Sequence, residues 1–128
     1  ALDMKARAVV FELDLDALTE RFSDRVAFRE IPRYPSGSRD TAFLVDRTVE
    51  AERMLRIVRE GGEELLESVD IFDVYTGRGV EEGKKSVAVR FSYRSSGRTL
   101  TDEEIRTVHE RIVSAIVRET GARIRGTE

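Results

Sequence analysis

Between Ser38 and Arg125 the spacing of apolar residues switches between a period of two and a period near 3.6. The order of those segments is what most limits the folds open to this chain. Residues 39–46 (RDTAFLVD) read as a strand. Thr48 then fits as the N-cap of a helix to Glu60, with Ala51, Met54, Leu55 and Val58 on one face and Gly61-Gly62 ending it. Residues 65–75 (LLESVDIFDVY) read as a long strand whose broken alternation predicts a bulge. Thr76 to Gly83 is a glycine-rich loop. Residues 84–94 alternate cleanly: Val87, Val89, Phe91 and Tyr93 face one way, Ser86, Ala88, Arg90, Ser92 and Arg94 the other. Thr101 and Glu104 form a T-x-x-E capping box ahead of a stripe of Ile105, Val108, Ile112, Ala115 and Ile116. Gly121 ends that helix, and residues 122–125 (ARIR) form a last short strand.

The order is β-α-β-β-α-β, the ferredoxin-like split βαβ arrangement of the α+β class. It predicts a four-stranded antiparallel sheet with both helices on one face and the other face open. Upstream, residues 8–15 (AVVFELDL) read as a short strand, and Asp16 as the cap of a short helix through Phe22. Residues 23–37, with Pro32, Pro35 and Gly37, form a connector. The expected division is an N-terminal arm over residues 1–30 and a main domain over 31–128.

Absent residue types exclude whole classes of chemistry. The 128 residues contain no cysteine, so disulfides, thiol nucleophiles and cysteine metal sites are out. His109 is the single histidine, and no asparagine or glutamine is present. It lies at the edge of a helical stripe and reads as structural. No apolar stretch approaches the ~20 residues of a membrane span. The net charge is −3, but residues 76–100 set Arg78, Lys84, Lys85, Arg90, Arg94 and Arg98 against only Glu81 and Glu82. Any anion site is therefore expected near that segment.

On the last strand Ile124 is expected to point into the core and Arg123 and Arg125 outward. The open face then offers small residues at its centre, arginines around them, and Tyr75 as a stacking platform. Single-stranded RNA fits such a face, as does a small flat ligand or a protein partner. A hydrolase reading finds no nucleophile–base pair.

The blocks RDTAFLVD, LLESVDIFDVYTGRGVEEGKKSVAVRFSYRSSGRTLTDEEI and GARIRG together resemble the ferredoxin-fold anticodon-binding domain that closes the β chain of bacterial phenylalanyl-tRNA synthetases. The resemblance covers about residues 30–126, and residues 8–30 resemble the stretch just before that domain. It implies a non-catalytic module that grips the anticodon stem-loop of phenylalanine tRNA. It further implies a cytoplasmic α₂β₂ enzyme whose α chain carries the ATP- and Mg²⁺-dependent chemistry, with no cofactor in this fragment and no membrane contact. Carried over by motif, Asp73 and Tyr75 of FDVY, Ser86 of GKKS and Arg125 of the last strand would meet the anticodon bases. Arg39, Lys85, Arg90 and Arg123 would supply further RNA contacts. One departure is Ser38, in PSGSRD, where the family carries an arginine.

Overall fold

The computed structural model describes residues 9–22 and 31–125. The chain divides into two compact units, Ala1–Ile31 and Pro32–Glu128.

In the first unit, α1 spans Leu15–Arg21. Its N-cap is Asp14, whose carboxylate accepts from the backbone N–H groups of Asp16 and Ala17 at 3.0 and 3.1 Å. This corrects two expectations. Asp16 lies in the first helical turn instead of capping it, and residues 9–14 form no strand. Alternation alone cannot make a strand: its N–H and C=O groups need a neighbouring ladder, and these residues pair with none of the described residues. Residue 8 and most of the connector, residues 23–30, lie outside the described residues.

The second unit contains β1 (Gly37–Asp46), α2 (Ala51–Gly61), β2 (Leu66–Tyr75), β3 (Lys84–Tyr93), α3 (Asp102–Thr120) and β4 (Arg123–Ile124). The strands lie in the order β2-β3-β1-β4, all neighbours antiparallel. This is the ferredoxin-like α+β fold, with β1 and β3 central. Side chains alternate across the strands, and one set meets the helices. Phe43 and Val45 of β1 and Val87, Val89, Phe91 and Tyr93 of β3 are buried against Met54, Ile57 and Val58 of α2 and Ile105, Val108, Ile112, Val113 and Ile116 of α3.

The capping box forms as the sequence indicates: Thr101 Oγ1 accepts from the Glu104 N–H, and Glu104 accepts from the Thr101 N–H at 2.9 Å. Gly121 takes the left-handed conformation at φ 68° that stops α3. At α2 the expected cap is displaced. The helix starts at Ala51 with Glu50 at the N-cap, because residues 47–49 are held in a turn. There the Arg47 N–H donates to the Gly83 carbonyl and that of Val49 to Asp46, so Thr48 cannot begin the helix.

Candidate nucleic-acid interface

The side of the sheet away from the helices is built in rungs by strand register. Ala42 pairs with Ala88, Asp40 with Arg90, and Leu44 with Ser86 between β1 and β3. Asp70 pairs with Arg90, Asp73 with Ala88, and Tyr75 with Ser86 between β2 and β3. The expected bulge lies between Ile71 and Asp73. It shifts the alternation by one residue, so Asp73 comes out on the open side beside Phe72, whose ring centroid lies 5.1 Å from Arg90 Cζ. The two alanines leave a shallow depression of about 360 Å³, walled by Asp40 and Phe72 on one side and Ile124 and Arg125 on the other.

One end of the face is closed by the loop between β2 and β3. Tyr75 stands at the end of β2, 42% exposed, and its hydroxyl donates to the Arg78 carbonyl at 3.4 Å. Its ring lies so close over Gly77 that a Cβ there would fall 2.2 Å from the hydroxyl oxygen. Ser86, opposite Tyr75, is buried. Two arginines tie the far edge to the same loop: Arg123 pairs with Glu81, and Arg125 donates to the Gly79 carbonyl at 3.5 Å. The Arg125 backbone N–H donates to Ala42 at 2.8 Å, which extends the β1–β4 ladder past Ile124.

Most of the residues singled out from sequence thus share one face: Asp73, Tyr75, Ser86, Arg90, Arg123 and Arg125. Two do not. Arg39 shares the parity of Phe43 and lies on the helix side, ion-paired with Asp102 at the start of α3. Lys85 pairs with the buried Val45 and shares the parity of Val87, so register places it on the helix side as well. Ile124 also departs from expectation. Although it pairs with Phe43, it is 55% exposed and lines the depression, because β4 is a two-residue edge strand beyond the cover of the helices.

Asp40 and Phe72 are the residues sequence reasoning missed. Arg90 Nε and Nη2 donate to the two carboxylate oxygens of Asp40 at 2.8 and 2.7 Å. These bonds hold the Asp40 carboxyl below its ordinary pKa and the Arg90 guanidinium above its own. The signal for Asp40 was its even spacing from Ala42, legible only once β1 was set against β3.

On the helix side, His109 joins the sheet to α3. Its Nδ1 lies 2.8 Å from the Tyr93 hydroxyl and its Nε2 2.9 Å from Thr41 Oγ1. Burial, assisted by the Arg39 charge, lowers the His109 pKa, and burial raises that of Tyr93. A neutral ring donating from one nitrogen and accepting at the other satisfies both hydroxyls. The histidine is a bolt in the core, turned away from the open face.

The family model of the ferredoxin-fold anticodon binding domain matches residues 32–125. Among similar proteins, the phenylalanine–tRNA ligase beta subunit of Syntrophus aciditrophicus (strain SB) is 56% identical over 124 residues, which are 97% of this chain and 15% of that protein. The beta subunit of Shouchella clausii (strain KSM-K16) is 46% identical over 98% of this chain and 15% of its own length. That of Geobacillus kaustophilus (strain HTA426) is 44% identical over 91% of this chain, again 15% of its own length. The chain therefore spans about 15% of the length of these relatives.

Proposed function

We propose that this chain, which belongs to the ferredoxin-fold anticodon-binding domain family, grips the anticodon stem-loop of phenylalanine tRNA on the open face of its sheet. The observation that carries the reading is the convergence of Asp73, Tyr75, Ser86 and Arg125, from three strands, on one face around a floor of two alanines. Tyr75 offers a ring for a base to stack on. Asp73 accepts from a base amino or imino group, and Ser86 bonds a neighbouring base edge. Arg125 meets phosphate.

In the same reading the chain is the anticodon-binding end of a phenylalanine–tRNA ligase beta subunit within a cytoplasmic α₂β₂ enzyme. Residues 31–128 form the binding module, and residues 1–30 come from the preceding part of the subunit. Activation of phenylalanine with ATP and Mg²⁺ belongs to the α chain.

The test is a salt titration of binding to the anticodon stem-loop of phenylalanine tRNA beside a loop of scrambled anticodon. Tighter binding to the true loop, with log affinity falling linearly against log salt, is the expected result. Equal and salt-insensitive affinity for both loops would overturn the reading and leave the face to a small planar ligand.

A further inference from the structure

The open face is charge-balanced where an RNA-binding surface is ordinarily cationic. Lys84 Nζ meets Asp46 at 3.1 Å, Arg123 meets Glu81, and Arg90 meets Asp40. Arg125, whose guanidinium reaches a backbone carbonyl, forms no ion pair with a carboxylate of the described residues. The Arg90 pair is the most completely fixed of these. Two guanidinium nitrogens go to the two oxygens of Asp40, Arg90 Cζ lies 5.1 Å from the centroid of the Phe72 ring, and Asp70 is the opposing residue on the other flanking strand. Both partners remain substantially exposed, 52% and 44% for the side chains of Arg90 and Asp40. Such a pair contributes little to stability. Its consequence is for what the face can bind.

Cations free to meet phosphate give affinity that ignores sequence, because each contact releases counterions whatever the base. A cation already held by a carboxylate must break that pair first. We infer that Asp40 is a specificity-determining residue: by clamping Arg90 beside Phe72, it withholds a cation from the RNA backbone and presents the groove with a charge-paired surface and a carboxylate acceptor. The groove then rewards a base of the right edge chemistry and gives little to an arbitrary polyanion. This inference rests on the proposed RNA-binding role of the face, and extends it from which residues touch RNA to how the wrong RNA is refused.

The experiment compares the 128-residue chain with D40N, R90Q and the D40N/R90Q pair, using polyuridylate as a sequence-neutral probe. Releasing Arg90 adds one phosphate contact, which steepens the log–log salt slope by ~0.7 and tightens binding about 5-fold at 0.1 M salt relative to 1 M. D40N should show that gain. In the R90Q background, D40N should add nothing to the slope, since no arginine remains to release. The preference for the true anticodon loop over a scrambled one should fall in D40N. Two results would overturn the inference. One is D40N binding polyuridylate no more tightly than the unsubstituted chain, including no binding by either. The other is a gain that persists in the R90Q background, which would be a long-range charge effect. Failure of the anticodon reading shows separately, as equal binding of both loops by the unsubstituted chain.

Discussion

Replacing Gly77 with alanine separates the placement of one ring from the stability of the domain that carries it. A Cβ on residue 77 would fall 2.2 Å from Tyr75 Oη, 2.4 Å from Cζ and 2.8 Å from Cε2. Carbon atoms sit comfortably about 3.5–4.0 Å apart, so the ring must swing outward by roughly 1 Å or more. The fold resists this only weakly. The ring is 42% exposed, and its hydroxyl makes one long bond, 3.4 Å, to the Arg78 carbonyl. A well-formed neutral hydrogen bond contributes about 1 kcal/mol and this one less, so melting should fall by no more than about 4–8 °C. RNA binding should respond far more strongly. Base–aromatic stacking contributes ~1–3 kcal/mol, or about 5- to 150-fold in affinity. The assay is anisotropy with a labelled anticodon stem-loop on G77A, Y75A and the double variant, with melting curves beside it. G77A should lose most of what Y75A loses, and the double variant should bind no worse than Y75A alone. Additive losses would refute the argument, since Gly77 would then act through the loop path and not through the ring. A collapse in melting temperature would refute the claim that the ring moves cheaply.

Four further outcomes follow from the packing and the ion pairs. Phe43→Ala, at a fully buried position in the centre of the sheet, should cost ~3–5 kcal/mol in urea unfolding. Thr101→Ala removes one half of the capping box on α3 and should cost ~1 kcal/mol by the same measurement. The His109 pKa is lowered by burial from 6.5, so the folded state binds fewer protons than the unfolded state below that pH. Stability should be at its plateau above pH 6.5 and decline as the pH falls toward the lowered value. H109Q should flatten that window in a plot of melting temperature against pH. A second decline, as the pH falls from 4.5 toward about 2, comes from Glu104, whose bonds from Arg98 and Thr101 hold its pKa down to about 2, together with Asp40, which Arg90 holds below its ordinary 3.8. It should survive in H109Q.

Where each element could be recognised from its own residues, the sequence was legible. The alternation of Val87, Val89, Phe91 and Tyr93 and the capping box at Thr101 each state a local preference that the fold keeps. Legibility failed wherever the answer lay in a partner. The segment 9–14 has the alternation of a strand and, among the described residues, no neighbour to complete its ladder. Thr48 has the chemistry of a cap, but the Gly83 carbonyl draws Arg47 into a turn first. Asp73 joins Phe72 on the open side because of a bulge whose exact position only pairing with β3 determines. The site residues taken from motif resemblance fall mostly on one face. Arg39 and Lys85 fall on the other because they lie an odd number of residues from Ala42 and Ser86. The Asp40–Arg90 clamp unites residues remote in sequence, and only strand register brings them together.

The sheet order β2-β3-β1-β4 also has a kinetic meaning. β1, the first strand of the domain, pairs with β3 on one side and with β4, the last, on the other. The depression draws its walls from all four strands, so it is assembled by contacts that span nearly the whole unit. Such contacts require large loops to close before they stabilise anything, which makes the domain slower to fold than a helical bundle of its size. A hairpin of β2 and β3 can form early and set Tyr75 against Ser86. Asp40 and Arg125 can enter only when β1 and β4 have docked, so a partly folded chain displays the Tyr75 ring before it possesses the groove.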